Sequence, residues 1–348
     1  MNRHLAVIAV LSGAALFTLA GPASARDLTV VSWGGSYQDG QKIAIFDPFK
    51  AKFGIKMIDE PWDGGVGVLR AKVQGGNADW DVVQVESEEL AIGCEEGLFE
   101  KLDYAKIGGK DAYMPAAVNP CGVGAIVWSF VLSYDGDKLK AGPKGWADFF
   151  DTKKFPGKRA LRQGPKGNLE FALIADGVAP ADVYKVLATD EGVERAFKKL
   201  DGIKNDLIFW KAGAQPPQLL ASGEVVMTSA YNARITAANE KDKKNFQIVW
   251  NGSLNTIDSW VILKGSPNLA QAYEFLNFAG QASVQKDMTK YVSYGFTNKK
   301  AMEGVPPARL AVLPTAPENM VNTQVIDDEF WLENLDRLNE RFNKWAAR

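Results

Sequence analysis

The chain has 348 residues, 40 Lys and Arg against 42 Asp and Glu, and a single histidine. Interspersed charge near balance, without a basic tract, excludes a surface built for a phosphate backbone, so no nucleic-acid partner is expected. An apolar content of 46% excludes a disordered chain, and the length predicts two lobes at ~100–200 residues per domain.

Arg3, the apolar run from Leu5 to Ala20 and the small-residue motif Ala23-Ser24-Ala25 follow in the order of a secretory signal. Cleavage after Ala25 and export to a periplasm are therefore expected. The run is shorter than the ~20 residues that cross a bilayer, no later segment reads as transmembrane, and no cysteine directly follows the signal to carry a lipid. Cleavage also removes His4, and with it any Ser-His, Cys-His or His-metal chemistry. Cys94 and Cys121, an even pair in an exported chain, predict a disulfide, two separate buried thiols being the alternative.

Short apolar runs alternating with helical patterns predict an α/β protein. Strands are expected at Leu28–Ser32, Ile55–Ile58, Asp81–Val85 and Ala125–Leu132. Between them, Ile43, Phe46, Lys50 and Phe53 mark one helix, with others over Val66–Gln74 and Glu89–Leu98. Further strands are expected at Arg159–Arg162, Leu207–Trp210, Val225–Ser229, Phe246–Trp250 and Trp260–Leu263. Helices over Pro180–Leu187, Gly192–Leu200, Pro217–Ser222 and Leu269–Phe278 separate several of them. At the C-terminus, Trp331, Leu335, Leu338, Phe342 and Trp345 share one helical face, which predicts docking onto the body of the protein.

Catalytic signatures are sparse. Asp63-Gly64-Gly65-Val66-Gly67 lacks both dinucleotide and P-loop spacing and reads as a turn before a helix. Glu86, Glu88 and Glu89 run from a strand end into a helix start, where acids serve the helix dipole more often than paired-carboxylate chemistry. No cofactor or metal is expected. What the chain offers is aromatic and polar residues at strand ends, the place where α/β folds bind ligands: Trp33 and Tyr37 after the first strand, Tyr231 and Arg234 after another, Asp258 and Trp260 around a late one, and Tyr294 beyond a long helix. A carboxylate beside indole and phenol faces suits an ammonium group, through a charge-assisted hydrogen bond and cation–π contact.

The order of SWGGSY, DWDVVQVES, PCGVGAIVWSFVLSYD, GEVVMTSAYNAR, IDSWVILKGSPN and YGFTN resembles the periplasmic binding proteins of polyamine-type ABC transporters, the spermidine/putrescine-binding family, over essentially the whole mature chain. The resemblance implies a type II periplasmic-binding-protein fold, with two α/β lobes joined by crossing strands and the ligand cleft between them. It puts one lobe at 26–133 plus 259–300 and the other at 134–258 plus 301–348. It also implies that Trp33 and Tyr37 line the first lobe, that Tyr231 takes an aromatic-box position, that Asp258 is the amine-binding carboxylate and that Tyr294 packs nearby.

The chain departs from that family where further acids would hold a remote amine, since Lys166 stands in Gly164-Pro165-Lys166-Gly167-Asn168. Arg234 offers a fork for a carboxylate. Asp258 with Arg234, and Lys166 near, predicts a short ω-amino acid such as 4-aminobutyrate, with putrescine or spermidine as the alternative. The expected protein is a monomer that performs no chemistry and delivers its solute to an ABC permease. An exported hydrolase using Glu86 and Asp258, or a sensor docking on another membrane partner, are the rival readings.

Overall fold

The computed structural model describes residues 26–75 and 79–347, so the expected signal at 1–25 lies outside the described residues. Ten strands form one mixed sheet: β1 (Leu28–Ser32), β2 (Met57–Pro61), β3 (Val82–Val85), β4 (Val118–Asn119), β5 (Gly122–Asp135), β6 (Arg159–Arg162), β7 (Leu207–Trp210), β8 (Met227–Tyr231), β9 (Phe246–Ile262) and β10 (Gln324–Val325). Along its main path the order is β2-β1-β3-β9-β5-β8-β6-β7, with β4 added to β5 and β10 to β9. Every residue of β1 and of β3 is buried, as expected for parallel strands covered on both faces.

Two long antiparallel strands make this one sheet serve two lobes. β9 pairs with β3 through Val82–Val85 opposite Ile262–Ser259, and β5 pairs with β8 through Phe130–Tyr134 opposite Tyr231–Met227. β5 and β9 pair with each other along nearly their whole length, so the parallel strands β2-β1-β3 lie on one side of the crossing and β8-β6-β7 on the other. The sequence pattern predicts two strands, Phe246–Trp250 and Trp260–Leu263, where β9 is continuous. Gly252 sits at φ +77 within a register shift, where Phe130 faces Leu254 but Leu132 faces Val249. A glycine kink inside a paired strand has the local signature of a turn. A second irregularity leaves Ala125 of β5 as the extra residue opposite Ser259 and Asp258.

Each side has its own aromatic core. Phe46, Phe49, Phe275 and Phe278 pack beneath the first, while Trp146 stacks on Phe171 beneath the second with ring centroids 3.6 Å apart. The helix Asp328–Ala346 lays Trp331, Leu338, Phe342 and Trp345 inward, Phe342 meeting Phe209 and Trp345 meeting Phe197. Leu335 on the same helix is only partly buried. At the helix start the carboxyl of Glu170 is fully buried and accepts from Trp331 Nε1 at 2.8 Å, Tyr184 Oη at 2.9 Å and Gly167 N at 2.9 Å. Burial raises the pKa of Glu170, so the acid acts as a hydrogen-bonded pin joining this helix to the second lobe.

Cys94 and Cys121 are bonded, with Cα atoms 5.6 Å apart, and tie the helix Ser87–Glu95 to the segment entering β5. With a sequence separation of 27, the closed loop is worth about 3–4 kcal/mol in the chain-entropy model. Thiol labelling of the unfolded, unreduced protein should find no free cysteine, and Cys94→Ala with Cys121→Ala should lower the unfolding free energy by about that amount. Two reactive thiols per chain would contradict this.

Candidate functional site

Strand ends and the paired strands β5 and β9 converge on one cavity of about 60 Å³ between the lobes, lined on one side by Trp33, Tyr37, Trp62 and Asp63 and on the other by Arg162, Tyr231 and Arg234. Glu86, Trp128, Lys211, Asp258 and Tyr294 complete its polar and aromatic wall. A water needs about 10–15 Å³ of such space, so the cavity suits a solute of a few heavy atoms.

Asp258 lines this cavity and is 3% exposed. It faces Ile126 next to the irregularity at Ala125, on the segment where β9 passes between the lobes. Trp128 Nε1 donates to its Oδ1 at 2.5 Å and Gln84 Nε2 to its Oδ2 at 3.4 Å. Among the described residues it makes no ion pair. Burial, and then the nearby Glu86 carboxylate, hold its pKa well above the ordinary aspartate value. The carboxyl is thus held in place by neutral donors and lacks a cation to neutralise its ionised form.

Gln84 also organises the first-lobe wall. Its amide exchanges hydrogen bonds with Tyr37 Oη, donating at 2.7 Å, and its backbone carbonyl accepts from Trp62 Nε1 at 3.0 Å. Trp33 stacks on Trp62 with centroids 5.1 Å apart, and Tyr37 meets Tyr294 edge-on at 5.2 Å. In the second lobe, Tyr231 lies at the end of β8, 4.9 Å from Trp128 and 5.4 Å from Trp210. Burial raises the phenol pKa of Tyr37, Tyr231 and Tyr294, so all three stay neutral donors.

Arg234 begins in the second lobe on the helix Asn232–Asp242 and reaches across to the first. Its Nη2 donates to the carbonyls of Trp33 at 3.2 Å and Gly34 at 3.1 Å, and its Nη1 to Ser36 Oγ at 3.3 Å. Its Nε is buried and has no hydrogen-bond partner. Gly35 sits at φ +56, where a side chain would be strained and its Cβ, within 2.9 Å of Arg234 Nη1, would push the guanidinium aside.

Glu86 caps the helix Ser87–Glu95 in a reciprocal box with Glu89, whose carboxylate accepts from Glu86 N at 3.0 Å. The acids at this helix start do serve its N-terminus, but Glu86 has a second task. Its oxygens meet Arg162 at 3.3 Å and 3.4 Å, a pair between the ends of β3 and β6. Burial would raise its pKa, yet Arg162 and Lys166 bring it down to about 2. Glu89 has no such cation; burial and then Glu86 push it up to about 8.

Two expected site residues lie elsewhere. Lys166 is held by Glu88, with Glu86 Oε2 at 3.7 Å, and borders a neighbouring cavity. Its charge is spent on acids of the opposite lobe. Trp260 is buried under the helix Leu269–Ala279, edge-on to Phe275 at 5.3 Å. Two residues of strand rise, about 6–7 Å, carry it from the position of Asp258 into the core. Sequence reading passed over Trp62, Asp63, Trp128, Arg162 and Lys211. Trp62, Asp63 and Arg162 obey the strand-end rule already applied to Trp33, whereas Trp128 lies mid-strand and gains its role only from the crossing of β5 and β9.

A family model for bacterial extracellular solute-binding proteins matches residues 44–315. The chain belongs to that family. A gamma-aminobutyric acid-binding protein of Pseudomonas aeruginosa is 46% identical over 95% of this chain and 94% of its own length. A solved GABA receptor superposes with a TM-score of 0.82 at 36% identity, over 92% of this chain and 98% of that one. A putrescine-binding periplasmic protein of Pseudomonas aeruginosa is 26% identical over 82% of each chain. The fold is therefore the type II fold of substrate-binding proteins of ABC transporters, which bind small solutes for a membrane transporter and are not enzymes.

The raised pKa of Asp258 has a direct consequence for stability. The folded state holds this proton more tightly than the unfolded chain, so its stabilisation is complete below the ordinary carboxylate pKa of about 4 and is lost as pH rises towards the folded value. Asp258→Asn cannot titrate. Urea unfolding without ligand should show its stability, relative to wild type, increasing from pH 4 to pH 8; a difference independent of pH would contradict the assignment.

Proposed function

We propose that this protein is the periplasmic solute-binding component of an ABC importer and that it captures a short ω-amino acid, with 4-aminobutyrate the favoured ligand. The observation that carries the reading is the buried, ion-pair-free Asp258 in the same small cavity as Arg234. An ammonium at Asp258 would supply the missing cation, with Trp33, Tyr37, Tyr231 and Tyr294 around it offering ring faces. A carboxylate at the other end would take the Nε of Arg234, which is buried and has no protein partner. The names of the 46% identical relative and of the solved receptor support the same ligand.

In this reading the mature chain begins after Ala25, acts as a monomer and docks on an inner-membrane permease. The lobes comprise 26–133 plus 259–300 and 134–258 plus 301–348, and they close on the solute. Arg234 acts twice, on the ligand carboxylate and on the backbone carbonyls of the opposite lobe. Putrescine fits less well, because its second ammonium would face Arg234 and lose its hydrogen bonds.

Calorimetric titration separates the two ligands. The wild type should bind 4-aminobutyrate and bind putrescine weakly. Asp258→Asn, which keeps the shape but removes the charge, should cost about 2–5 kcal/mol of 4-aminobutyrate binding. Arg234→Met should weaken 4-aminobutyrate by a comparable amount and leave putrescine equal or improved. Tight putrescine binding by the wild type, unaffected by Arg234→Met, would return the site to a polyamine.

A further inference from the structure

Beside the Asp258 cavity lies a second one, of about 230 Å³, also between the lobes. Trp33, Asp63, Glu86 and Arg162 line both cavities and so form the wall they share. Three of these residues come from the first lobe. Arg162 comes from the second, and its two-pronged contact with Glu86, at 3.3 Å and 3.4 Å, closes the wall across the cleft.

Both ends of this contact are fixed from behind. Glu86 is held by the capping box with Glu89. The backbone N–H of Arg162 donates to Ser229 Oγ at 3.2 Å, and its carbonyl accepts from Asn168 Nδ2 at 2.7 Å. Its guanidinium also lies 5.9 Å from the Tyr231 ring. Lys166 braces Glu86 from the far side at 3.7 Å. The partition is therefore ionic and anchored on both sides, and a methylene chain passing through it would have to break a part-buried pair.

The second cavity has its own chemistry. Asp63, Glu86, Glu88 and Glu89 lie on its wall with the cations Arg162 and Lys166. Glu86 pairs with Arg162, Glu88 with Lys166, and the pKa of Glu89 is pushed up to about 8, so Asp63, which makes no ion pair among the described residues, is the acid open to a further ammonium group.

We propose that the Glu86–Arg162 pair is a length gauge: it ends the solute cavity after a short chain and excludes longer polyamines, whose distal ammonium would otherwise reach the acidic second cavity. This rests on the reading of the Asp258 cavity as the solute site. Glu86 and Arg162 are thereby specificity-determining residues whose pairing with each other, more than contact with the ligand, sets the preference.

The test is the ratio of the spermidine and 4-aminobutyrate dissociation constants in wild type and in the double variant Glu86→Ala/Arg162→Ala. The double variant leaves neither member of the pair as a lone buried charge. Calorimetry should find the ratio shifted towards spermidine by on the order of tenfold or more. The conservative variant Arg162→Lys keeps a cation opposite Glu86 and leaves the helix cap intact, so it should keep the wild-type ratio and tests the gauge even if the alanine pair does not fold. An unchanged ratio in the alanine pair, or an Arg162→Lys variant that prefers spermidine, would overturn the gauge. Failure of the wild type to bind 4-aminobutyrate would instead overturn the reading of the site, and the gauge with it.

Discussion

The site is organised around one electrostatic constraint: a carboxyl group, Asp258, enclosed where two lobes meet and given only neutral donors. A fully buried carboxylate without a cation is costly, and a protein relieves that cost by keeping the group protonated. Trp128 and Gln84 hold the carboxyl in position but leave its charge unbalanced. In the proposed function a cationic solute does what no side chain among the described residues does, converting a neutral acid into half of an ion pair. Selectivity for an ammonium would follow from that exchange, strengthened by the surrounding rings.

The same solute would bear on closure, because the lobes already touch through charged groups. Arg234 spans from the helix Asn232–Asp242 to the carbonyls of Trp33 and Gly34, Lys166 reaches Glu88, and Asp328 at the start of the C-terminal helix accepts from Ser87. Each link exchanges hydration for a fixed contact and has modest net worth. A ligand that binds both walls at once adds differential affinity for the arrangement in which these links are made, the only quantity that can shift such an equilibrium. The permease would then meet one shape when solute is present.

Much of this was legible in the sequence, for reasons that differ by residue. β1 and β7 match the expected ranges because dense β-branched and aromatic residues bounded by polar turns have one local solution, whereas β6, Arg159-Ala160-Leu161-Arg162, matches with neither and owes its pairing to β7 and β8. Asp258 and Tyr231, both on the cavity wall, stand out in the sequence because a carboxylate and a phenol at strand ends are chemically conspicuous. β9 was divided in two because a kink and a turn share glycine and asparagine, and only pairing to β5 tells them apart. Lys166 and Trp260 were misplaced because sequence gives a residue's position along a strand or loop but not what competes for it: acids of the opposite lobe in one case, an aromatic core in the other. Arg162 ends β6 and so was within reach of the strand-end rule, whereas its pairing with Glu86, 76 residues away in the chain, was not.

The central claim is that the solute's positive charge displaces a proton from Asp258. Titration calorimetry with 4-aminobutyrate at mildly acidic pH, in two buffers of different ionisation enthalpy, measures that proton directly. The account predicts a release approaching one proton per ligand bound by the wild type and essentially none by Asp258→Asn at ligand concentrations high enough to load it. Binding heats that do not depend on the buffer would show Asp258 already ionised in the empty site, and would contradict the account.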